Sequence, residues 1–241
     1  MPLTAIILAA GAGTRLGELG RRFSKPMVPL LGRPLLDWLI ADLHTAGVER
    51  IIVVGNPADV PLASHLQSAH PTVRFVTQPE RLGIADALRC ALPLVADEPA
   101  YVACACDSLF LPREIREMIA RGRAQPGSAI VGVIEMGVAA THSRSAVRVD
   151  GTRVIAIIEK PAPDTALSGL VAAPLYWLPH AFAPLLTTAP PADGESYIST
   201  ALAAFINGGG IAHAVRLSER IEVTTPSDLP HAEDWLRRRH P

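Results

Sequence analysis

Short apolar segments alternate with amphipathic segments through the first half of the chain, and this alternation most constrains the fold. The segments 4–10, 50–54, 73–77 and 100–105 are rich in β-branched and other apolar residues, as buried strands are. Segments between and after them, 34–47, 58–69, 84–95 and 112–123, carry apolar residues at helical spacing. Strands that alternate with helices of this length form βαβ units around a parallel sheet. The first half therefore predicts an α/β fold.

The pattern changes after Gly127. Closely spaced strands are predicted at 128–135, 146–150, 154–159 and 170–178, with a hairpin turn at Asp150-Gly151. Helices at 179–186 and 196–206 follow, then a short strand at 221–223 and a last helix that begins near Thr225. We predict one Rossmann-like domain over residues 1–241. It has three α/β/α layers, a mostly parallel central mixed sheet and a small β-rich insertion, with 190–194 as a surface loop.

Composition excludes several classes of protein. Lys and Arg (22) nearly balance Asp and Glu (23), so the basic excess of a nucleic-acid-binding protein is missing. The longest apolar segments fall far short of the ~20 residues that cross a bilayer. No Lys or Arg precedes the first apolar segment, unlike a secretory signal, and the three Cys include two at i, i+2 spacing on one strand, too far apart for an easy disulfide. We expect a cytoplasmic protein with neither nucleic acid nor membrane as a partner.

The stretch after the first strand is the most informative part of the sequence. Gly11 and Gly13 follow the strand directly, which lets the backbone turn sharply and point amide donors at an anion. Arg15 and Lys25 add two cations to the same polar loop. Amide donors and fixed positive charge together favour binding of a polyphosphate.

Three interpretations compete for this glycine pair alone. A dinucleotide-binding fingerprint requires a third Gly, where Leu16 stands, and an acid after the second strand, where Asn56 stands. A Walker A loop requires Gly-Lys followed by Ser or Thr, which is absent. A tight structural turn remains open, but it does not explain Arg15 and Lys25.

The chain resembles the sugar-1-phosphate nucleotidyltransferases, also called nucleotide-sugar pyrophosphorylases. The resemblance is carried by Gly11-Ala12-Gly13-Thr14-Arg15-Leu16, Lys25-Pro26-Met27, Gly32-Arg33-Pro34-Leu35-Leu36, Ala46-Gly47-Val48 and Gln78-Pro79-Glu80-Arg81-Leu82-Gly83. It implies that Arg15 and Lys25 contact the triphosphate and stabilise charge during transfer. It also implies that Gln78 hydrogen-bonds the nucleobase, that Gly83 leaves room beside the base, and that Leu8, Ala10, Gly11 and Gly13 line the nucleotide site.

Later motifs extend the resemblance to the acceptor and the metal. Asp107, at the end of the central strand, matches an acid that holds Mg²⁺, and Glu222 matches a second metal-holding acid. Glu159 and Lys160, followed by Pro161, match a pair that binds the sugar and its phosphate. The resemblance therefore implies Mg²⁺ as cofactor and a nucleoside triphosphate and a phosphorylated small molecule as partners.

The implied reaction transfers a nucleoside monophosphate from the triphosphate to a sugar 1-phosphate and releases pyrophosphate. A phosphate monoester has a second pKa of about 6, so the nucleophile is already an anion at neutral pH and no general base is required. This agrees with a sequence in which no catalytic triad is readable and the eight His show neither metal nor catalytic spacing. The barrier is repulsion between anions, which positioning and positive charge overcome.

Four positions depart from the family pattern, mostly on the acceptor side. Cys106, Ser145 and Pro174 stand where Gly is usual, and Glu222 replaces the usual Asp. An acceptor other than a hexose phosphate therefore stays open, including a non-sugar phosphate or phosphonate used by a cytidylyltransferase. A catalytically silent, nucleotide-sugar-binding regulatory subunit is a further alternative, and retention of Asp107 with both loop cations argues against it. The nucleobase is not determined, and self-association as a homo-oligomer is an expectation only.

Overall fold

A computed structural model describes residues 2–162, 165, 168–188 and 194–239. Residues 190–193 of the predicted surface loop lie outside this described part. The strands are β1 (Thr4–Leu8), β2 (Pro29–Leu30), β3 (Arg33–Pro34), β4 (Arg50–Gly55), β5 (Arg74–Thr77), β6 (Ala100–Ala105), β7 (Ser108–Phe110), β8 (Ala129–Glu135), β9 (Ser145–Asp150), β10 (Arg153–Glu159), β11 (Leu170–Pro179), β12 (Ala212–Arg216) and β13 (Arg220–Glu222). The α-helices are α1 (Glu18–Arg22), α2 (Leu35–Thr45), α3 (Val60–Ala69), α4 (Ile84–Ala91), α5 (Pro112–Ala124), α6 (Val138–Thr141), α7 (Leu185–Thr188), α8 (Ile198–Asn207) and α9 (Leu229–Arg239).

A nine-stranded mixed sheet forms the centre of the molecule, in the order β5-β4-β1-β6-β11-β8-β12-β10-β9. Strands β5, β4, β1 and β6 are parallel neighbours, as the alternating first half predicts. Strands β10 and β11 run against all the others in this sheet. Strand β9 closes a hairpin with β10 at the sheet edge and also touches β11.

Apolar residues on successive positions of β1 enter two separate cores, because side chains of a strand alternate between the sheet faces. Ala5 and Ile7 pack in the core formed with α2, α3, α5 and α9, whereas Ile6 and Leu8 pack in the core formed with α4, α7 and α8. Ile6 and Ile7 are fully buried, and each burial contributes about 1.5–3 kcal/mol. Helices therefore cover both faces of the sheet, and the predicted three-layer α/β/α class is confirmed.

The element boundaries differ from the sequence prediction at a few positions. The predicted helix 84–95 ends at Ala91 and continues as a tight turn through Leu92–Val95, since Pro93 lacks the amide hydrogen that a helix interior requires. Strand β12 was not predicted, because Ala212 and Ala214, its inward residues, give a weak apolar signal. Among the described residues, no helix combines the length and the apolar character needed to span a membrane.

The carboxyl ends of β1 and β6 lie side by side at one edge of the sheet. The amide of Cys106 donates to the carbonyl of Leu8 at 3.1 Å, and the amide of Ala9 donates to Val54 at 2.7 Å. These bonds hold the glycine loop next to the segment that carries Asp107. Ligands of open α/β sheets bind at such carboxyl edges.

Candidate active site

Glycine is present at positions 11 and 13 of the loop after β1 for different structural reasons. Gly13 has φ +63°, a left-handed conformation that other residues rarely adopt. Gly11 needs no such conformation, and a Cβ built on it meets no atom within 4 Å. The described structure thus gives no internal reason for glycine at position 11. Open space beside an unobstructed backbone is what a ligand that approaches the amides requires.

The two cations of this loop differ in their surroundings. Lys25 lies in a tight turn, Lys25–Met27, and its ammonium group forms an ion pair with Oδ2 of Asp107. Ser108 Oγ donates to the other carboxylate oxygen of Asp107 at 3.1 Å. Arg15 is exposed in the turn Thr14–Leu16, and within the described residues its side chain forms neither a hydrogen bond nor an ion pair. Arg15 is therefore available to an incoming anion.

A cavity of about 270 Å³ opens between the glycine loop and α4. Its walls include Leu8, Ala10, Gly11, Lys25, Gln78, Gly83 and Asp107. Most residues expected to contact the nucleotide are thus brought together around one space. Gly13 and Arg15 are the exceptions: Gly13 borders the loop's outer side, and Arg15 lines a second cavity.

Gln78 is buried on this cavity with its side-chain amide in a defined orientation. Its Nε2 donates to the carbonyl of Gly83 at 3.1 Å and to Oδ2 of Asp86 at 2.8 Å. Arg89 in turn donates to Oδ1 of Asp86. Because a carboxylate only accepts hydrogen bonds, Asp86 requires the NH₂ end of Gln78 on its side. The Gln78 carbonyl oxygen is then the end left for a ligand.

Gly83 is required by the packing of two loops as well as by the cavity. It has φ +98°, and a Cβ there would lie 2.5 Å from the backbone nitrogen and oxygen of Ser196. The Ser196 amide donates to Leu82 at 2.8 Å, and the Ala85 amide donates to Ser196 at 3.0 Å. Residue 83 therefore faces another backbone segment, where the family resemblance implied room for a base.

A second cavity of about 380 Å³ adjoins the first. Ile84, Ala105, Asp107 and Glu195 line both cavities. The second cavity also contains the predicted residues Arg15, Glu159, Lys160 and Glu222, and the two departures Ser145 and Pro174. Asp107 thus stands on the wall that the two cavities share.

Glu159 is held by two hydroxyl groups of the second cavity. Ser145 Oγ and Ser199 Oγ both donate to its Oε2, the latter at 2.6 Å. The side chain that replaces the usual Gly at 145 therefore restrains the carboxylate expected to bind the acceptor. A restrained carboxylate presents its remaining oxygen in one direction.

Lys160 and Tyr197 form a contact on the rim of the same cavity. Lys160 has φ +43° at the end of β10, and its ammonium donates to the Tyr197 hydroxyl at 2.7 Å. Tyr197 donates in turn to Glu195 at 3.1 Å. Desolvation raises the pKa of Tyr197, and the Glu195 contact adds to this, while the hydrogen bond from Lys160 opposes it. Tyr197 is therefore a neutral donor at physiological pH.

Glu222 is paired with two arginines. Its Oε2 lies 2.8 Å from Arg144 and 2.6 Å from Arg220. Burial lowers the pKa of Arg220, while Glu222 opposes that change. The acid expected to help hold a metal is thus paired with guanidinium groups.

The structure accommodates Cys106 and Pro174, two further departures from the family pattern. Burial raises the pKa of the Cys106 thiol to about 12, with Asp107 adding to the effect, so this thiol is protonated near neutral pH and is not a nucleophile. Pro174 lies where β11 shifts register against β8, between Ala172 and Tyr176. A residue without an amide hydrogen is tolerated at such an irregularity.

The donor set of the shared wall suits a hard cation. Asp107 and Glu222 line one cavity and offer carboxylate oxygens, which Mg²⁺ prefers together with phosphate oxygens and water. The surrounding cations Lys25, Arg144 and Arg220 balance those carboxylates here. The residues fit a magnesium ion that arrives with an anionic ligand.

Several residues of the second cavity were given no role from sequence, among them five charged or hydrogen-bonding residues: Arg144, Glu195, Tyr197, Ser199 and Arg220. Two of them carry a readable signal. Arg144 precedes Ser145 directly, and Arg220 lies two positions before Glu222 on one strand, hence on the same face. The other three come from the loop and helix start at 195–199, whose approach to β10 is a tertiary feature.

Comparison with known proteins identifies relatives across nearly the whole chain. The family model of nucleotidyl transferases matches residues 4–221. The bifunctional protein GlmU of Halorhodospira halophila is 31% identical over 239 residues, which is 95% of this chain and 47% of that protein. The UTP–glucose-1-phosphate uridylyltransferase of Escherichia coli K12 is 25% identical over 227 residues, 79% of this chain and 75% of that one. The chain spans about half the length of the first of these curated relatives.

The fold has counterparts among solved structures. The crystal structure of a UDP-glucose pyrophosphorylase complexed with UDP-glucose superposes with a TM-score of 0.88. The alignment covers 99% of this chain and 100% of that chain at 19% sequence identity. At this identity the likeness concerns the fold.

Proposed function

This chain belongs to the nucleotidyl transferase family, and we propose that it transfers a nucleoside monophosphate from a nucleoside triphosphate to a sugar 1-phosphate, with release of pyrophosphate. Relatives named as a uridylyltransferase and as GlmU support this reaction class. The proposed partners are the triphosphate and a phosphorylated small molecule.

One observation carries the proposal: Asp107 lies on the wall between two cavities of different character. The first contains the glycine loop and Gln78, which suits a nucleotide. The second contains Glu159 and Lys160, which suit hydroxyl groups and a phosphate. A transfer reaction requires two substrates whose reacting atoms meet, and a shared wall with charged groups is where such a meeting takes place.

Lys25 and Arg15 supply the positive charge. The Lys25 ammonium is held by Asp107 and is therefore positioned at the junction. We infer that it exchanges this partner for phosphate oxygens of the triphosphate. We infer that Arg15, exposed on the second cavity, meets the same phosphates. Preorganised charge of this kind stabilises a transition state without reorganisation at the moment of transfer.

Asp107 and Glu222 would hold Mg²⁺. When bound, the ion supplies charge neutralisation for the phosphates. For Glu222 this role requires that Arg144 and Arg220 share its carboxylate with the ion or turn to the acceptor phosphate. A buried arginine next to a phosphate site is well suited to bidentate phosphate contacts.

Glu159 and Lys160 would orient the acceptor. The Glu159 carboxylate accepts hydrogen bonds, and Ser145 and Ser199 keep it in place, so it is suited to donors such as sugar hydroxyls. Lys160 adds a cation on the rim. The acceptor phosphate itself acts as nucleophile in its anionic form, so these residues bind and orient without proton transfer.

Pyrophosphate release tests the proposal. The protein is incubated with Mg²⁺, each common nucleoside triphosphate and a panel of hexose 1-phosphates, amino-sugar 1-phosphates, non-sugar phosphates and phosphonates. We expect release only when a triphosphate and a sugar 1-phosphate are both present, and loss of release in Asp107→Ala. Turnover only with a non-sugar acceptor would replace the sugar assignment. Binding of a nucleotide sugar without any turnover would instead indicate a regulatory subunit.

A further inference from the structure

A cluster of three metal-ligating side chains lies on α2 and α3, outside both cavities. Asp37 is in the first turn of α2, His65 is on α3, and His70 caps the end of α3. His65 Nε2 lies 2.7 Å and His70 Nε2 lies 2.9 Å from the same oxygen of Asp37, Oδ1. The candidate ligand atoms of the three residues all lie within 4.8 Å of one another. The spacing of the histidines along the chain does not reveal this convergence.

We propose that Asp37, His65 and His70 form a binding site for a zinc-class divalent cation. Imidazole nitrogen and carboxylate oxygen are the ligands that Zn²⁺ accepts, and three protein ligands leave a fourth position for water. Tetrahedral bonds of about 2.0–2.2 Å place ligand atoms roughly 3.3 Å apart. The distances of 2.7 and 2.9 Å from the two Nε2 atoms to Asp37 Oδ1 would therefore increase by about half an ångström. Small side-chain rotations are sufficient for this change.

Burial at this cluster suits an exchangeable ion. The side chains of Asp37, His65 and His70 are 11%, 20% and 19% exposed. They are sheltered enough to be held by their helices and still open to an ion from solvent. Without a cation, each Nε2 has to donate its hydrogen to Oδ1, so both imidazoles bind the same carboxylate oxygen.

Arg33 is the charged neighbour that opposes a cation here. Its Nε lies 3.9 Å from Oδ2 of Asp37, its Nη2 donates to the Asp37 carbonyl at 2.8 Å, and its guanidinium stacks on Trp38. These contacts place Arg33 on the Oδ2 side and leave Oδ1 to the imidazoles. Its charge lowers the cation affinity, so Arg33→Ala is expected to tighten binding several-fold.

A cation at this place would join the two helices that support the Lys25–Met27 turn. That turn packs against both α2 and α3. The proposed ion would therefore add to the stability of the protein, and its effect is measured as stability and not as activity. The proposal does not depend on the transferase reaction.

Zinc titration of the chelator-treated full chain tests the proposal. We expect one Zn²⁺ per chain by calorimetry and by elemental analysis after dialysis, and a rise in the melting temperature. His65→Gln and His70→Gln should each weaken binding by about 100-fold, because an amide still donates to Asp37 but is a poor zinc ligand. His231→Ala, on the exposed face of α9, is the matched control and should bind as the wild type does.

The outcomes are separable from metal binding at the catalytic carboxylates. Asp107→Ala should keep this zinc ion, and the two His→Gln variants should lose it. No zinc uptake by the wild-type chain would overturn the proposal. Equal uptake by the wild type and by both His→Gln variants would do the same.

Discussion

Lys25 and Asp107 form an ion pair between the glycine-rich loop region and the end of β6, at the junction of the two cavities. They are 82 positions apart in sequence, and their side chains are 16% and 18% exposed. The pair keeps one charge of each sign in a sheltered place before any ligand binds. A site of this kind is organised for anion transfer in its resting state.

Asp107→Ala should greatly reduce turnover while having little effect on the stability of the protein. We expect pyrophosphate release to fall at least about 100-fold, because the variant loses both the carboxylate proposed to hold the metal and the group that positions Lys25. The ion pair is partly exposed, so its loss should reduce the free energy of unfolding by only about 1 kcal/mol. Steady-state rates and thermal melts provide the two measurements, and the exposed Asp97→Ala is the control. Near-normal turnover would remove Asp107 from the mechanism.

Arg15→Ala should lower the maximal rate more than the affinity for the acceptor. Within the described residues the Arg15 side chain forms neither a hydrogen bond nor an ion pair, so its removal should leave the fold unchanged. Its charge acts on the transferring group, which predicts a fall in kcat of about 100-fold with little change in acceptor KM. Arg21→Ala, on the neighbouring helix α1, is the matched control. An unchanged kcat would refute this role for Arg15.

Gly11→Ala should make the protein more stable and a poorer nucleotide binder. A methyl group at position 11 meets no atom, and a compatible Gly→Ala change raises the free energy of unfolding by about 0.4–1 kcal/mol. The same methyl group would occupy the space proposed for the triphosphate, so Kd for the nucleotide should rise at least about tenfold. Calorimetric titration and denaturant unfolding measure the two effects. Gly20→Ala serves as contrast, since its Cβ would lie 3.0 Å from the Gly13 carbonyl and should destabilise the protein. Unaltered nucleotide affinity in Gly11→Ala would contradict the proposal that the triphosphate binds beside the backbone of residue 11.

Asp86→Ala should reduce discrimination between nucleobases. Asp86 and the Gly83 carbonyl both hold the NH₂ end of Gln78, and without Asp86 only the longer bond to Gly83, at 3.1 Å, restrains the amide toward a base. The ratio of kcat/KM between the best and second-best triphosphate is expected to fall about tenfold. In the control Arg89→Ala, the bond between Gln78 and Asp86 remains, and so should the ratio. Equal ratios in wild type and Asp86→Ala would show that Gln78 is oriented by something else.

Asp228→Ala should destabilise the protein in a pH-dependent way. Desolvation favours a higher pKa at Asp228, but hydrogen bonds donated by the backbone of Thr224 and Thr225 outweigh it, so the pKa is lowered from 3.8. A lowered pKa means that the stabilisation is present above the unfolded-state value and is lost as pH falls through the folded-state value. We expect a loss of about 1 kcal/mol at pH 7, from the broken capping box before α9, and a much smaller difference near pH 3. Urea unfolding at both pH values measures it, and a difference independent of pH would exclude the carboxylate as its source.

The alternation of strands and helices in the first half determined the layered α/β architecture. Periodicity carries this information because each strand and helix must bury one apolar face, and that requirement acts on local sequence. The glycine loop and its cations were readable for the same local reason: Gly11, Gly13, Arg15 and Lys25 lie within one short connection. Asp107 was placed by its position just after a central strand, where ligands gather in such sheets.

Only the tertiary structure decided which charged and polar side chains, far apart in sequence, pair with one another. The pairing of Lys25 with Asp107, of Glu222 with Arg144, and of His65 with Asp37 depends on how elements far apart in sequence pack. No local pattern encodes these contacts, because each depends on a separation of only a few ångströms set by the whole fold. The same holds for Gly83: the family resemblance implies room for a base beside it, and only the packing shows that a Cβ at this position would also meet the backbone of Ser196. Hydrophobic periodicity along the sequence specifies the layered architecture. The partners of charged side chains are specified only by how the helices and strands pack in the folded protein.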